Sequence, residues 1–371
     1  MKRIGITLIF LTSTVLACSQ QPEATSITPS PGTAFDLNRT VYGFFPSPPE
    51  VTFDSVLKLF KDLGNHADFV LIQQNVPWPD FESNVDGQAQ KRTDIINEVK
   101  LSQQNNLAYI FVVDGLNGLN RREFSGLPPG WDPKFSNPRI RNAYTNYALW
   151  VVRTFHPRYL GLASEINTYM DTHPEDAPNF LSLYNEIYSA IKLEAPQTRI
   201  FVTFQWEELN SLIPQLAGGH LPNQIDWEKI KMFEPKLDLW VISSYPFVAY
   251  KSGAEIPPGY YTPLLSQTSK PLAVAEGGYS SRGVGSPQGA PEDQVSYLNA
   301  IHGQIGQRLA FWVYLLLNDF NQSSYASAMQ AGGQSTKDIN TLGMFASVGL
   351  RNSDGSPKPA MALWDSFRNA H

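Results

Sequence analysis

The sequence predicts an α/β protein, a single-domain (β/α)₈ TIM barrel, and three observations carry that prediction. Short apolar runs alternate with amphipathic stretches from residue 41 onward, the pattern of a parallel sheet wrapped by helices. Eight such runs recur at roughly forty-residue spacing, which suits a closed barrel better than an open sheet. The first run ends in Gly43-Phe44-Phe45-Pro46, which is not the glycine-rich turn that a doubly wound nucleotide-binding sheet would need there.

Strands are expected in order at 41–45 (VYGFF), 69–73 (FVLIQ), 108–113 (AYIFVV), 159–163 (YLGLA), 200–204 (IFVTF), 239–243 (LWVIS), 272–275 (LAVA) and 309–314 (LAFWVY). These runs are rich in β-branched and aromatic residues. Between them, helical patterns are expected at 53–63, 88–104, 137–155, 179–194, 227–233, 262–269 and 292–305, with a closing helix at 360–369. A chain that is 42% hydrophobic and 17% charged has ample material for one such core.

The N-terminus reads differently. Met1-Lys2-Arg3 is a basic start, and residues 4–15 form an apolar run too short for a membrane-spanning helix. Val15-Leu16-Ala17-Cys18 then resembles a bacterial lipobox, in which the cysteine is diacylated and becomes the new N-terminus. An ordinary signal peptide with a chance cysteine is the plainer reading. The resemblance implies a leader at 1–17, a membrane anchor through lipid on Cys18 and, from Ser19, sorting to the outer membrane. Cys18 is the only cysteine, so no disulfide is expected within the chain. Residues 18–38, rich in Ser, Thr, Pro and Gln, read as a tether, leaving 39–371 as the barrel domain.

Composition narrows the function classes. A net charge of −6 and a pI near 5.6 argue against a nucleic-acid partner. The six histidines show no HxH or HExxH spacing, so neither a metal nor a cofactor is expected. Aromatic residues make up 12% of the chain, a stock that suits sugar faces as well as a core. A monomer is expected.

In a barrel, the residues that follow each strand build the active site. Here they are carboxylates, amides and aromatics, without a nucleophile–histidine pair. Ser164-Glu165 follows the fourth run and Glu276 directly follows the seventh. Strands four and seven lie across an eight-strand ring, so two carboxyls from their ends can straddle one bond. Glycosidic cleavage needs such a pair, one to protonate the leaving oxygen and one to meet the developing cation. Trp78 and Trp206 follow strands two and five, where they offer sugar platforms or cover apolar surface. Asp114, after strand three, either holds a substrate hydroxyl or caps the loop Gly115-Leu116-Asn117-Gly118. Glu207-Glu208 read as the acidic opening of a helical turn. Gly283-Val284-Gly285-Ser286 reads as a rim loop.

The stretches YLGLASEIN (159–167), LDLWVISSYPF (237–247) and PLAVAEGGY (271–279) carry a family resemblance, as does LGMFASVGLRNSDGSPKPAMALW (342–364). Together they resemble glycoside hydrolase clan A, the barrels with catalytic glutamates after strands four and seven, and most of all family 53, the endo-β-1,4-galactanases. The resemblance implies a retaining glycosidase of polysaccharides or oligosaccharides, with Glu165 as acid/base and Glu276 as nucleophile. It implies that Tyr245 orients Glu276, that Trp312 floors the cleavage subsite, and that Ser164 and Asn167 lie beside the substrate. Two departures stand out. Ser164 replaces the asparagine that usually precedes the acid/base and contacts the sugar 2-hydroxyl, and Gln73-Gln74 stand where many clan members carry arginine. These departures motivate a second reading, a non-catalytic carbohydrate-binding lipoprotein on a degenerate barrel. A third keeps the chemistry but turns it on the organism's own exopolysaccharide.

Overall fold

The computed structural model describes residues 38–87, 91–213, 221–283, 289–332 and 335–370, so the expected leader, Cys18 and most of the tether lie outside the described residues. The same holds for residues 284–286 of the expected rim loop. Among the described residues the strands are β1 (Val41–Phe44), β2 (Phe69–Asn75), β3 (Ala108–Asp114), β4 (Leu116–Asn117), β5 (Asn120–Phe124), β6 (Tyr159–Gly161), β7 (Arg199–Phe201), β8 (Thr203–Gln205), β9 (Trp240–Ser244), β10 (Leu272–Gly277) and β11 (Leu309–Tyr314). β4 and β5 pair as an antiparallel hairpin, and the other nine form one parallel sheet in the order β7-β6-β3-β2-β1-β11-β10-β9-β8.

β7 and β8 are consecutive pieces of one stretch parted at Val202. The two ends of the sheet order therefore meet in a single chain segment, and the sheet closes. Leu162 donates its N–H to Phe201 and Thr203 donates to Ala163, at 2.9 and 3.1 Å, so the segment after β6 grips both pieces. The fold is the expected (β/α)₈ TIM barrel, with each expected strand within a few residues of its place.

Phe311 explains the closure at the lower end. Its ring meets Phe69, Tyr159 and Phe201 at centroid distances of 6.0, 5.1 and 5.7 Å, bringing β2, β6 and β7 onto one inward-facing residue of β11. Large rings demand small neighbours. A Cβ at Gly43 would stand 2.6 Å from the Phe69 ring, and one at Gly161 would stand 2.9 Å from Phe201 and Val112. Outside the sheet, helix Pro359–Asn369 packs Trp364 on Tyr42 and Trp312 at 5.1 and 5.4 Å. Helix Phe53–His66 buries Val56, Leu59, Phe60 and Leu63 at helical spacing, and the Thr52 hydroxyl caps it by accepting from the Ser55 N–H.

Three features were not legible in the periodicity. The hairpin β4–β5 follows β3 directly, helix Ile166–Thr172 begins straight after Glu165, and helices Gln322–Ala331 and Thr336–Gly343 precede the last helix. Asn321 and Ser335 cap the latter two, accepting from Ser323 and Asp338. Of the expected helix 88–104, residues 88–90 lie outside the described residues, and among those described the helix runs Thr93–Gln104.

Phe311→Ala should destabilise the fold by about 3–5 kcal/mol, because the rings around it cannot all collapse inward. Urea unfolding checks this: a lower midpoint with an unchanged slope is expected.

Candidate active site

The site is built around a residue that the sequence reading did not single out. Arg121 lies on β5, so the hairpin carries it back over the barrel mouth, where it is buried. Its Nη1 donates to the Asp114 carboxylate, its Nε donates to Glu165 Oε2 at 3.2 Å, and its Nη2 lies 3.9 Å from Glu276 Oε2. Asp114, at the end of β3, is fixed in turn by the Leu116 N–H at 3.1 Å and by Gln73 Nε2 at 2.9 Å. It both caps the loop and holds the guanidinium, and does not itself face the cleft. The Asn117-Gly118 step was the available signal for a hairpin here.

Glu165 stands four residues past the end of β6 with φ 49° and ψ 44°, a left-handed conformation that costs a non-glycine residue about 1–3 kcal/mol. The backbone is held there by its N–H, which donates to Thr203 Oγ1 at 2.7 Å. Its carboxylate accepts from Ser243 Oγ at 2.5 Å as well as from Arg121. Glu276 lies within β10, where the register against β9 shifts between Val274 and Glu276. Such a bulge re-aims a side chain, and here it sets Glu276 opposite Ser243. Tyr245 donates its hydroxyl to Glu276 Oε1 at 2.6 Å, whereas Oε2 has no hydrogen-bond partner among the described residues. Burial, and then the charge of Glu165, push the Glu276 carboxyl up to about 7, against the opposing pull of Arg121 and Tyr245.

Tyr245 is itself supported from below. Its N–H donates to Glu207, which also accepts from Ser244, Tyr260 and Gln205, so Glu207 is a buried anchor for the loop after β9. Burial raises its carboxyl to about 7 despite those donors. Beside it, burial raises Glu208 to about 8, and Thr168 donates to it.

A cavity of about 340 Å³ opens above the pair, lined among others by Arg121, Arg122, Glu165, Gln205, Tyr245, Glu276, Lys337 and Phe345. Hollows of about 480 and 610 Å³ lie elsewhere, and neither includes Glu165 or Glu276. Among the described residues no group of His, Cys, Asp and Glu is placed to hold a metal.

Several expected substrate contacts are placed otherwise. Trp312 points away from the barrel axis, since the neighbouring Phe311 points in; its ring lies against Tyr42, Trp364 and Phe367, fully buried under the last helix. It cannot floor a subsite. Trp78 is buried against Phe124, Trp131 and Tyr144, with its indole N–H on the Ser125 carbonyl. Trp206 is buried among Trp227, Tyr260 and Tyr261. Neither is a platform in this cleft. Asn167 is buried and exchanges hydrogen bonds with the Gln205 backbone, fastening its helix to β8. Ser164 is also buried, its hydroxyl 3.3 Å from Thr203 Oγ1.

No family model matches the chain, and no curated protein matches it in sequence. Solved structures do. The chain is similar to an exo-β-1,4-mannosidase from an Opitutaceae bacterium at 14% identity and TM-score 0.62, covering 90% of this chain and 59% of that one. It is similar to a family 39 glycoside hydrolase from Bacteroides cellulosilyticus at 15% identity and TM-score 0.55, covering 90% and 63%. It is similar to a fungal β-1,4-galactanase at 14% identity and TM-score 0.50, covering 88% and 93%. The chain thus spans about three-fifths of the length of the first two. At this identity the likeness establishes the shared barrel fold.

The raised Glu276 carboxyl makes a stability prediction. A buried acid with a raised pKa favours the fold in its protonated form, and this contribution is lost as pH rises through about 7. Glu276→Gln should therefore have a higher Tm than the parent at pH 8.5, with the gap narrowing steadily below pH 7 and closing only below about pH 4.5, as thermal melts across that range would show.

Proposed function

We propose that this protein is a retaining glycoside hydrolase that cleaves β-glycosidic bonds in a polysaccharide or oligosaccharide by double displacement. The observation that carries the reading is the meeting of Glu165 and Glu276, from the ends of the fourth and seventh barrel strands, on one buried guanidinium at the mouth. The similar solved structures are named as glycosidases, which supports the same class. The strand-four and strand-seven pair is the clan A arrangement; among its families, the galactanases of family 53 remain the sequence-based preference.

The roles follow from the geometry. Glu276 keeps one oxygen, Oε2, without a hydrogen bond while Tyr245 fixes the other, which suits attack on an anomeric carbon. Glu165 gives its proton to the glycosidic oxygen as the C1–O bond breaks and Glu276 bonds to C1. Glu165 then takes a proton from water, which attacks C1 and releases Glu276. The Glu276 carboxyl, raised to about 7 by burial and then by the charge of Glu165, must be ionised to attack.

One observation favours the rival reading. Ser164 is buried with its hydroxyl beside Thr203, so it offers no contact to a sugar 2-hydroxyl. A non-catalytic glycan-binding lipoprotein would tolerate that loss. Reducing-sugar release by the full-length protein from a panel of β-glycans, galactan included, separates the two. Release that disappears in Glu276→Ala supports hydrolysis, and binding without release on any glycan supports the rival.

The pH profile gives a sharper test. Glu276 attacks only when ionised, so with its carboxyl at about 7, kcat/KM should rise as pH passes through neutrality. Glu165→Gln removes the like charge and lowers the Glu276 carboxyl. It should slow hydrolysis of natural glycans by about 10²–10⁴-fold. With an aryl glycoside whose leaving group needs no acid, the rise with pH should persist and its midpoint should move below 7. An unchanged profile would contradict the coupling.

Display from a bacterial envelope through lipidated Cys18 is part of the proposal. Cys18→Ser should move the protein from the detergent phase to the aqueous phase on partitioning; retention in detergent would remove Cys18 as the anchor.

A further inference from the structure

We propose that the cleft recognises an anionic glycan, and that Arg122 and Lys337 are the residues that select it. This rests on the reading of the cleft as a glycan site. Its aromatic lining is slight: Tyr245 is buried with its hydroxyl committed to Glu276, and Phe345 leans edge-on to Tyr245 at 5.2 Å. Trp78, Trp206 and Trp312 are packed elsewhere. The stacking faces that usually hold neutral sugars are therefore few.

Cations take their place. Arg121 is committed to three carboxylates, but Arg122 and Lys337, which also line the cavity, are exposed and have no ion pair or side-chain hydrogen bond among the described residues. They come from separate elements, the hairpin and helix Thr336–Gly343. Two such cations at one cleft run against the charge of a chain with a net −6, and a narrow cleft concentrates their field.

Neither placement is explained by local stability. Lys337 lies in the first turn of its helix, where a cation opposes the helix dipole. The neighbouring Asp338 is engaged with Ser335 Oγ at 2.7 Å. The carboxyl that acts on Arg122 is Glu208, which also feels Glu165 and accepts from Thr168. Burial holds its proton up to about pH 8, so around neutrality it leaves the Arg122 charge standing. An arginine fork matches a carboxylate or sulfate in two parallel bonds, and lysine adds a point charge.

The test is native gel retardation of the full-length protein in mild detergent, with a polyuronate, a sulfated glycan or a neutral β-glucan cast in the gel. Retardation by at least one anionic glycan but not by the neutral one is expected, and which of them retards names the anion. Arg122→Ala and Lys337→Ala should each weaken it on the order of fivefold, and added salt should weaken it further. Lys236→Ala, outside the cleft, should leave it unchanged. Equal retardation by neutral and anionic glycans, none by the anionic ones, or equal loss in Lys236→Ala would overturn the inference. Because binding is read without turnover, the two readings fail separately. Glu276-dependent hydrolysis of neutral glycans without anionic retardation leaves the glycosidase standing and removes this selectivity. Retardation through Arg122 and Lys337 without hydrolysis of any glycan does the reverse.

Discussion

A single buried guanidinium organises this site. Arg121 is surrounded by Asp114, Glu165 and Glu276, three carboxylates that could not share one water-poor pocket without it. Its rigid fork dictates where each carboxyl can stand, so the separation of the two glutamates is set by a residue on neither of their strands. One positive charge does not neutralise three negative ones. Burial, and then the surplus charge of Glu165, hold the Glu276 carboxyl well above its ordinary range.

The barrel supplies what the guanidinium needs. Strain at Glu165, a bulge before Glu276 and a hairpin after β3 are departures from regular geometry, and they converge on one end of the sheet. Strands beside Glu165 hold its backbone through Thr203 and its carboxylate through Ser243, and Glu207 holds the loop that bears Tyr245. The lower end is closed by Phe311 and its ring partners. The two ends divide stability from chemistry.

The sequence disclosed the strands because buried parallel strands read as continuous apolar runs, and it disclosed Glu165 and Glu276 because a carboxylate ends such a run abruptly. It could not disclose Arg121, since an arginine in a polar hairpin looks like any solvated surface residue until the chain folds it inward. Trp312 failed for a related reason. The run LAFWVY shows no alternation that says which face is inward, so a one-residue difference in facing separates a cleft floor from a helix contact. Trp78 and Trp206 stand after the expected strands, yet each turns back into packing beneath the rim. Position at a strand end brought Glu165 and Glu276 to the cavity, whereas the indoles at such positions pack beneath the rim.

The most direct measurement is covalent trapping with a 2-deoxy-2-fluoro glycoside of a sugar that the protein accepts, followed by mass spectrometry of the digested chain. The account predicts one label, on the peptide that contains Glu276, and labelling on the order of 10² slower in Arg121→Met, whose carboxyls are no longer held in place. A label on another residue, or turnover with inversion and no label, would contradict it.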